Sequence, residues 1–337
     1  MAEFGRVLQA AHAQYLKGVD KEVVQNSILL SMLKKRNKIK TGQSGHSLTW
    51  RLKTSQRELT PTGDMEAIQF ARQNLYTTAT LDWRGYVMQD AISQKERLMV
   101  RGPEAIIDIW AEKVEDMRED FLDRMNVELF RDGNATGNEE RFHGLDSIFG
   151  HTAGTTAYVA SNESYAGLTL AATHGTESAS TPYSPHLVNA KHEWDGSSTT
   201  FASQPIECVR ALVSACSVGN KPSMRPDVCL TTESWYLTLL NDMQAEEQIA
   251  AKDSELTAIG FQAVQVDGVP VTWDYDCAAS KMYCLNLNKI EIRLLSSQLA
   301  DGETSYDHGR RAYLFSMGCW GNIKIHPRYQ GLLKDFS

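Results

Sequence analysis

The stretch 103–132 constrains the fold more than any other part of the sequence. Its large apolar residues recur at steps of three and four, which is the spacing of one helical face. This series is Ile106, Trp110, Val114, Met117, Phe121 and Met125. Gly102-Pro103-Glu104 is a favourable helix start and Gly133 a favourable stop. Such a helix would span about 45 Å, roughly three times the average length, and its acidic face should meet solvent or a partner.

A long β-hairpin is predicted ahead of this helix. Residues 46–54 alternate, with Leu48, Trp50 and Leu52 on one side, and a second extended stretch covers about 75–88. The residues between the two stretches are mostly polar. Because a two-stranded ribbon is only marginally stable in water, we expect the hairpin to lie on another surface, such as a neighbouring copy.

The charges of the chain are unevenly distributed around a net charge of −8. Residues 1–40 carry eight Lys and Arg against three Asp and Glu, whereas residues 103–132 carry four against ten. Two oppositely charged segments suit pairing within one copy or between copies. Proteins that grip DNA are usually basic, so DNA binding by the chain as a whole is disfavoured. Contact between the basic run 34–40 and phosphate stays open.

The rest of the chain indicates a mixed α+β body. Residues 150–200 are rich in small and polar residues and predict loops with short strands. Helices are expected over 205–218 and 232–250, and a hairpin over 261–273 turns at Asp267-Gly268. Extended segments close the chain, and no repeat of 20–50 residues is present.

No catalytic, cofactor or metal site is predicted. The chain has neither a GxxxxGK[ST] phosphate loop nor a GxSxG elbow. Its histidines between residues 143 and 192 lack the HxxxH and HExxH spacings that place two imidazoles on one helical face. They are His143, His151, His174, His186 and His192. We therefore expect a protein that is not an enzyme, and a histidine-based site near 143–192 remains the rival enzyme hypothesis.

Location is predicted from what the sequence does not contain. None of the six cysteines forms a CxxC pair, so they are expected to be reduced and mostly buried. No apolar run approaches the roughly 20 residues of a membrane helix, and the N-terminus does not match a secretory signal. We expect the protein to act in the cytoplasm where it is made, without a membrane.

In the order and proportions of its elements, the sequence resembles the major capsid proteins of tailed bacteriophages of the Hong Kong ninety-seven type, and their relatives the encapsulins. The order is basic arm, long hairpin, very long helix, mixed body and closing strands. Residues 225–232, which begin Arg225-Pro226-Asp227 and precede Trp235, resemble the family's passage from a proline–aspartate pair into a strand and a helix. Residues 310–327 resemble its closing strand ahead of a proline.

The resemblance implies an α+β phage major capsid fold with named parts. An N-terminal arm would cover 1–45 and an extended E-loop hairpin 46–90. A P-domain, with its spine helix at 103–132 and an antiparallel sheet, would cover 91–145. An A-domain would cover 146–275, and return strands over 276–337 would complete the P-domain and A-domain.

The same resemblance implies a structural function. Copies would form pentamers and hexamers and assemble in the host cytoplasm into the icosahedral shell of a virion. The shell would package double-stranded DNA without sequence-specific contact. Because the chain starts almost at the arm, a separate scaffolding protein is implied, together with a portal and possible decoration proteins. The alternative is an encapsulin-like shell that packages a protein cargo.

Charged residues of the arm, hairpin and spine helix are the candidate inter-subunit contacts. They are Lys34, Lys35, Arg36, Lys38, Arg51, Lys53, Arg57, Glu112, Glu115, Asp116, Glu119 and Asp123. Some family members crosslink a hairpin lysine to a neighbour's asparagine. Lys53 is present in the hairpin, but no acid catalyst or asparagine partner is identified, so no crosslink is predicted.

Overall fold

A computed structural model gives the structure of the chain. It describes residues 27–53, 61, 63, 75–95, 103–149, 164–169, 186–189, 201–217, 222–245, 263–297 and 299–334. In this part of the chain the helices are α1 (Ile28–Lys35), α2 (Pro103–Phe130), α3 (Pro205–Cys216) and α4 (Glu233–Ala245). No described helix combines the length and the apolar character that a membrane span requires.

The strands of the described residues form two larger sheets and two hairpins. In chain order they are β1 (Ile39–Lys40), β2 (Ser47–Lys53), β3 (Tyr76–Asp82), β4 (Arg84–Ser93), β5 (Ser164–Tyr165), β6 (Leu168–Thr169), β7 (His186–Asn189), β8 (Val228–Thr231), β9 (Val264–Val266), β10 (Val269–Trp273), β11 (Lys281–Leu285), β12 (Ile290–Leu294), β13 (Asp301–Asp307), β14 (Ala312–Ile325) and β15 (Gly331–Lys334). The predicted α+β class is confirmed.

The predicted long helix forms as α2, which has 28 residues and is about 42 Å long. Val114, Phe121 and Met125 lie on its buried side. Trp110 packs against Phe315 of β14, with 4.7 Å between ring centroids. The apolar stripe seen in the sequence is therefore the surface that α2 buries against the first sheet.

The first sheet has five strands and is built around β14. Its order is β1-β12-β14-β13, and β4 pairs with β14 on the other side. β12, β13 and β4 each run antiparallel to β14, and β1 runs parallel to β12. Alternate residues of β14, among them Phe315, Met317 and Ile323, are buried in the main core. This sheet and α2 form one layered body.

The second sheet has six strands in the order β7-β15-β11-β8-β10-β9. α3 begins with Pro205 at its N-terminus and packs Val209 and Leu212 into a separate core, to which α4 contributes Leu239. β9 and β10 form the predicted hairpin. Its turn is Asp267-Gly268, whose φ angles of 51° and 77° are both left-handed, as a two-residue type I′ turn requires.

The stretch expected as one strand over 75–88 is two strands in different sheets. β3 pairs with β2 from Tyr76 to Asp82, and β4 pairs with β14 from Arg84 onward. Trp83 lies between them, and its Nε1 donates a hydrogen bond to the carbonyl of Gly45 at 3.0 Å. The chain therefore leaves the hairpin at Trp83 and enters the five-stranded sheet.

The apolar side of the hairpin is covered by the protein's own body. Trp50 is 8% exposed, lies 6.5 Å from the ring of Tyr165 and has the Lys324 ammonium 5.8 Å from its ring centroid. The backbone of Thr80 also donates to the carbonyl of Ala166 at 3.0 Å. The described base of the hairpin therefore lies on another surface, as expected, but β5 and β14 of the same chain provide that surface, and not a neighbouring copy.

Candidate inter-subunit surfaces

The acidic face of α2 holds five of the candidate contact residues. Asp116, Glu119 and Asp123 are exposed and Glu115 is partly buried. The side chain of Glu112 falls outside what the structure describes. The spacing of these positions puts them on one stripe of the helix, away from the buried residues. No ion pair joins this acidic face to another residue of the described ranges.

The basic run of residues 34–40 divides into internal and external positions. Arg36 forms an ion pair with Asp227 at 2.9 Å, and Lys38 Nζ donates to the carbonyl of Asn288 at 3.2 Å. Lys34 and Lys35, in the last turn of α1, are exposed. Arg36 and Lys38 therefore hold this segment on the protein's own body.

The outer face of the hairpin is polar and exposed. Arg51 and Lys53 lie on it, opposite in direction to the buried Trp50 and Leu52. In the described part of the chain neither of these two basic side chains has an ion-pair partner. Arg57 lies outside the described residues. The hairpin thus presents two positive charges outward from a base that is fixed internally.

The loop after α2 is fixed by Arg84 at the start of β4. Its Nη1 donates to the carbonyls of Gly133 at 2.8 Å and Asn138 at 3.3 Å, and also to the carbonyl of Arg141. Burial lowers the pKa of Arg84 although nearby carboxylates, Glu140 first, act in the opposite direction. One guanidinium therefore satisfies several carbonyls that would otherwise be left unpaired.

Glu128, at this same end of α2, accepts hydrogen bonds from two other elements. Its carboxylate accepts from Tyr86 Oη at 2.7 Å and from Arg141. Tyr86 Oη in turn accepts from the backbone N–H of Phe142 at 2.8 Å. Burial, together with the bond to Glu128, raises the pKa of Tyr86. These bonds join α2, β4 and the following loop into one unit.

A buried ion pair links this unit to the six-stranded sheet. Lys281 Nζ lies 2.7 Å from Asp146 Oδ2, and the two side chains are only 8% and 13% exposed. Tyr283 Oη donates to the other carboxylate oxygen at 2.6 Å. Burial raises the pKa of Tyr283 well above its ordinary value. Asp146 therefore connects the turn after α2 to β11 through two hydrogen bonds.

The rival enzyme hypothesis depended on histidines near 143–192. His143 is 6% exposed and lies edge-on to Tyr165 at 5.9 Å. Burial and the nearby Arg84 lower the pKa of His143 to about 3, so it is a neutral core residue near pH 7. His186 lies on β7, while His151, His174 and His192 fall outside the described residues. The described ranges hold no group of three or more His, Cys, Asp or Glu arranged to bind a metal ion.

All six cysteines are buried, and none of them forms a disulfide bond. Burial raises the pKa of Cys319 to about 12 and raises the pKa of Cys277 as well. Cys229 and Cys284 face each other across β8 and β11. Thiols in such surroundings are poor nucleophiles, so the described cysteines act as small apolar side chains.

Sequence reasoning missed the groups that fix α2. Arg84, Glu128 and Asp146 carry no motif, because their partners are backbone carbonyls and residues distant in the chain. The available signal was an Arg directly after Trp83, where the hairpin ends. That signal is too weak to identify the contact without coordinates.

Comparison with known proteins supports the fold. No protein-family model matches the sequence, and no curated protein matches it. Among solved structures, the capsid of cyanophage A-1(L) is similar, with 17% identity, a TM-score of 0.60 and coverage of 90% of this chain and 92% of that one. The capsid of a native GTA particle has 13% identity and a TM-score of 0.55, with coverage of 90% of this chain and 90% of that one. The capsid of Myoviridae phage XM1 has 9% identity and a TM-score of 0.55, with coverage of 90% of this chain and 91% of that one. The fold is therefore that of these capsid proteins, as the resemblance implied.

Proposed function

We propose that this chain, which has the fold of tailed-phage capsid proteins, is a major capsid protein that assembles into an icosahedral shell around double-stranded DNA. The observation that carries the proposal is the similarity to three capsid structures over about nine-tenths of the chain. Fold alone does not define function, so the surfaces of the chain must provide the second argument.

Two exposed surfaces of the chain carry complementary charge, which supports the same function. Arg51 and Lys53 extend outward from the hairpin, and Asp116 and Glu119 extend outward from α2. None of the four has an ion-pair partner in the described part of its own chain. A neighbouring copy would supply the missing charge. Each such contact is weak at an exposed site, but it repeats between all copies of a closed shell.

The domain assignment belongs to the same proposal. The five-stranded sheet with α2 as spine helix would be the P-domain, and the six-stranded sheet with α3 and α4 the A-domain. Residues 1–45 would be the arm and 46–90 the E-loop. A-domains would meet around fivefold and sixfold axes as pentamers and hexamers. A separate scaffolding protein, a portal and possible decoration proteins would complete the virion, which is assembled in the host cytoplasm.

The shell would act without catalysis and without reading DNA sequence. The net charge of −8 opposes tight binding of the chain to phosphate. DNA would therefore lie inside the shell as cargo, held by enclosure. An encapsulin-like shell enclosing a folded protein is the alternative, and it predicts the same surfaces with a different content.

Electron microscopy of particles purified from the cells that produce the chain tests the proposal. We expect closed icosahedral shells, nuclease-protected double-stranded DNA, and one vertex that differs from the others. Shells that hold protein and no DNA would replace the proposal with the cargo-shell alternative. A dispersed chain at high concentration, with no shells under any condition that supports folding, would contradict both.

A charge exchange tests the contact between hairpin and helix. Arg51→Glu/Lys53→Glu should fold normally and lose assembly, as should Asp116→Lys/Glu119→Lys, because each places like charges together. The combined four-fold variant should regain assembly in part, since opposite charges face each other again. The matched control is Arg210→Glu on the exposed side of α3. Loss of assembly in the control, or no recovery in the combined variant, would refute this contact.

A further inference from the structure

One edge of the five-stranded sheet is open in the described part of the chain. The backbone N–H of Ala91 donates to Asp90 Oδ1 at 2.7 Å, and its carbonyl accepts from Lys113 Nζ at 3.5 Å. These groups of Ala91 therefore point away from β14. Because backbone direction alternates along a strand, the N–H and carbonyl of Val87 and Gln89 face the same edge. No described residue hydrogen-bonds to them there.

A groove runs beside this open edge, between β4 and α2. Its volume is about 440 Å³. Val87 and Met88 line one wall, and Phe121 and Met125 of α2 line the other. The groove has apolar side chains on both of these walls. It therefore offers room and main-chain hydrogen bonds to one extended segment, as in strand addition.

The charges around the groove favour an acidic segment. Arg124, Arg131 and Arg141 line it, against Glu128 and Glu140. Glu128 is already bonded by Tyr86 and Arg141, so its charge is largely compensated. An incoming strand that carries carboxylates and no base would be attracted.

The opposite edge of the same sheet is such a strand. β13 pairs with β14 on one side and with no other described strand. Its sequence, Asp301-Gly302-Glu303-Thr304-Ser305-Tyr306-Asp307, holds three carboxylates and no basic residue. The Asp307 carboxylate already accepts from the N–H groups of Gly309 and Arg310, so Asp301 and Glu303 carry the attraction. Seven residues extend over about 23 Å, which matches most of the ten-residue β4.

We propose that β13 of one copy adds to the open edge of β4 in a neighbouring copy, so that the sheet continues from subunit to subunit. This inference rests on the proposed shell-forming function and specifies one of its contacts. β4 and β13 both run antiparallel to β14, so they run parallel to each other. Because all copies of a closed shell turn the same face outward, the proposed joined strands are parallel as well, and the contact uses two different surfaces, as ring formation requires.

The registers of the sheet identify positions that report on this contact. Gln89 is paired with Ser316, and Ser316 with Glu303, so all three side chains lie on one face. Ser305 lies on that face as well, because it pairs with Leu314, two residues before Ser316. Gln89 and Ser305 are both exposed. The proposal places these two positions side by side on the same face of the adjacent strands, at the distance of a cross-strand pair.

Disulfide trapping in assembled particles tests the proposal. The variant Gln89→Cys/Ser305→Cys should give a ladder of covalent multimers after mild oxidation with oxidised glutathione. Each single variant should stay monomeric on the gel, because the two strands are different surfaces. The unmodified chain should also stay monomeric, since its six cysteines are buried. Arg210→Cys/Ser305→Cys, with one cysteine moved to the exposed side of α3, is the matched control and should give no ladder.

The outcomes separate this inference from the proposed function. Particles that form but give no ladder refute the strand addition and leave the shell function intact. Dimers from a single variant refute it too, because they indicate that two identical edges meet. If the unmodified chain forms no particles, the function itself fails.

A proline substitution provides a second, independent measurement. Gln89→Pro removes an N–H that points away from β14, so the sheet of its own copy loses no hydrogen bond. We expect a folded chain, by circular dichroism, that no longer assembles. Normal assembly of this variant would overturn the proposal.

Discussion

The buried pair of Asp146 and Lys281 gives the sharpest test of how the body of the protein is held together. Asp146 lies in the 3-10 turn Leu145–Ile148 that follows α2. Its two oxygens receive Lys281 Nζ at 2.7 Å and Tyr283 Oη at 2.6 Å, both from β11. Removing the carboxylate therefore breaks two hydrogen bonds between the turn and β11 and leaves an unpaired ammonium group on Lys281, which is only 6% exposed.

The expected magnitudes follow from what each substitution leaves behind. Asp146→Ala should lower the free energy of unfolding by about 3–5 kcal/mol, because an uncompensated buried charge remains. Tyr283→Phe should lower it by about 1.5–3 kcal/mol, the contribution of a hydrogen bond to a charged group. The triple variant Asp146→Leu/Lys281→Met/Tyr283→Phe removes every polar group of the cluster and should lie closer to the wild type than Asp146→Ala does.

Urea unfolding of the dispersed chain, followed by tryptophan fluorescence, provides the measurement. The urea midpoint should fall most for Asp146→Ala and less for Tyr283→Phe and for the triple variant, while the slope of the free energy against urea concentration stays constant. Asp123→Ala, which removes an exposed carboxylate of α2, is the control and should change stability by less than about 0.5 kcal/mol. If Asp146→Ala costs no more than this control, or if the triple variant is the least stable, the argument from buried charge is wrong.

Three further predictions concern single positions. Burial lowers the pKa of His143 to about 3, below its value of about 6.5 in an unfolded chain. Because the unfolded state then binds the extra proton, stability should fall by up to about 1.4 kcal/mol per pH unit as the pH drops from 6.5 towards 3. The variant His143→Met should reduce this slope in acid titrations. Gly144→Ala should destabilise the protein by about 1–3 kcal/mol, because a Cβ at this position would lie 2.6 Å from the carbonyl oxygen of Leu129 and as close to other carbonyls at the end of α2. Gly309→Ala is the control: its Cβ would meet only the flexible side chain of Asp307 at 3.2 Å, so it should be nearly neutral. Cys319, whose pKa burial raises to about 12, should react with an aromatic disulfide reagent only after denaturant is added, and rapid labelling of the folded chain would contradict its burial.

The regular elements could be predicted because their patterns are local. The three- and four-residue spacing of Val114, Phe121 and Met125 is visible without any partner, and α2 forms where it indicates. The alternation of Leu48, Trp50 and Leu52 likewise identifies β2. In each case the spacing of the apolar residues decides which face is buried, and that information lies within a single element.

The division at Trp83 could not be predicted, because it depends on two sheets that compete for one extended stretch. β3 and β4 are both extended, and only Trp83 separates them. The partner of β4 is β14, more than 200 residues later in the chain. Long-range pairing of this kind leaves no trace in a short window of sequence, so the hairpin was expected to continue beyond Asp82.

Charge patterns identified candidate contacts without showing which chain would satisfy them. Arg36 and Lys38 belong to the same basic run as Lys34 and Lys35, yet the first two bond to Asp227 and a carbonyl of their own chain. The sign of a charge is a property of the sequence, whereas the direction of a side chain depends on the fold. An exposed Arg51 on the outer face of a hairpin whose inner face is already buried has no further role in its own core. For this reason the surfaces that the described residues leave uncovered are stronger candidates for assembly than any charged run identified from the sequence alone. They are the acidic stripe of α2, the outer hairpin face and the edges of β4 and β13.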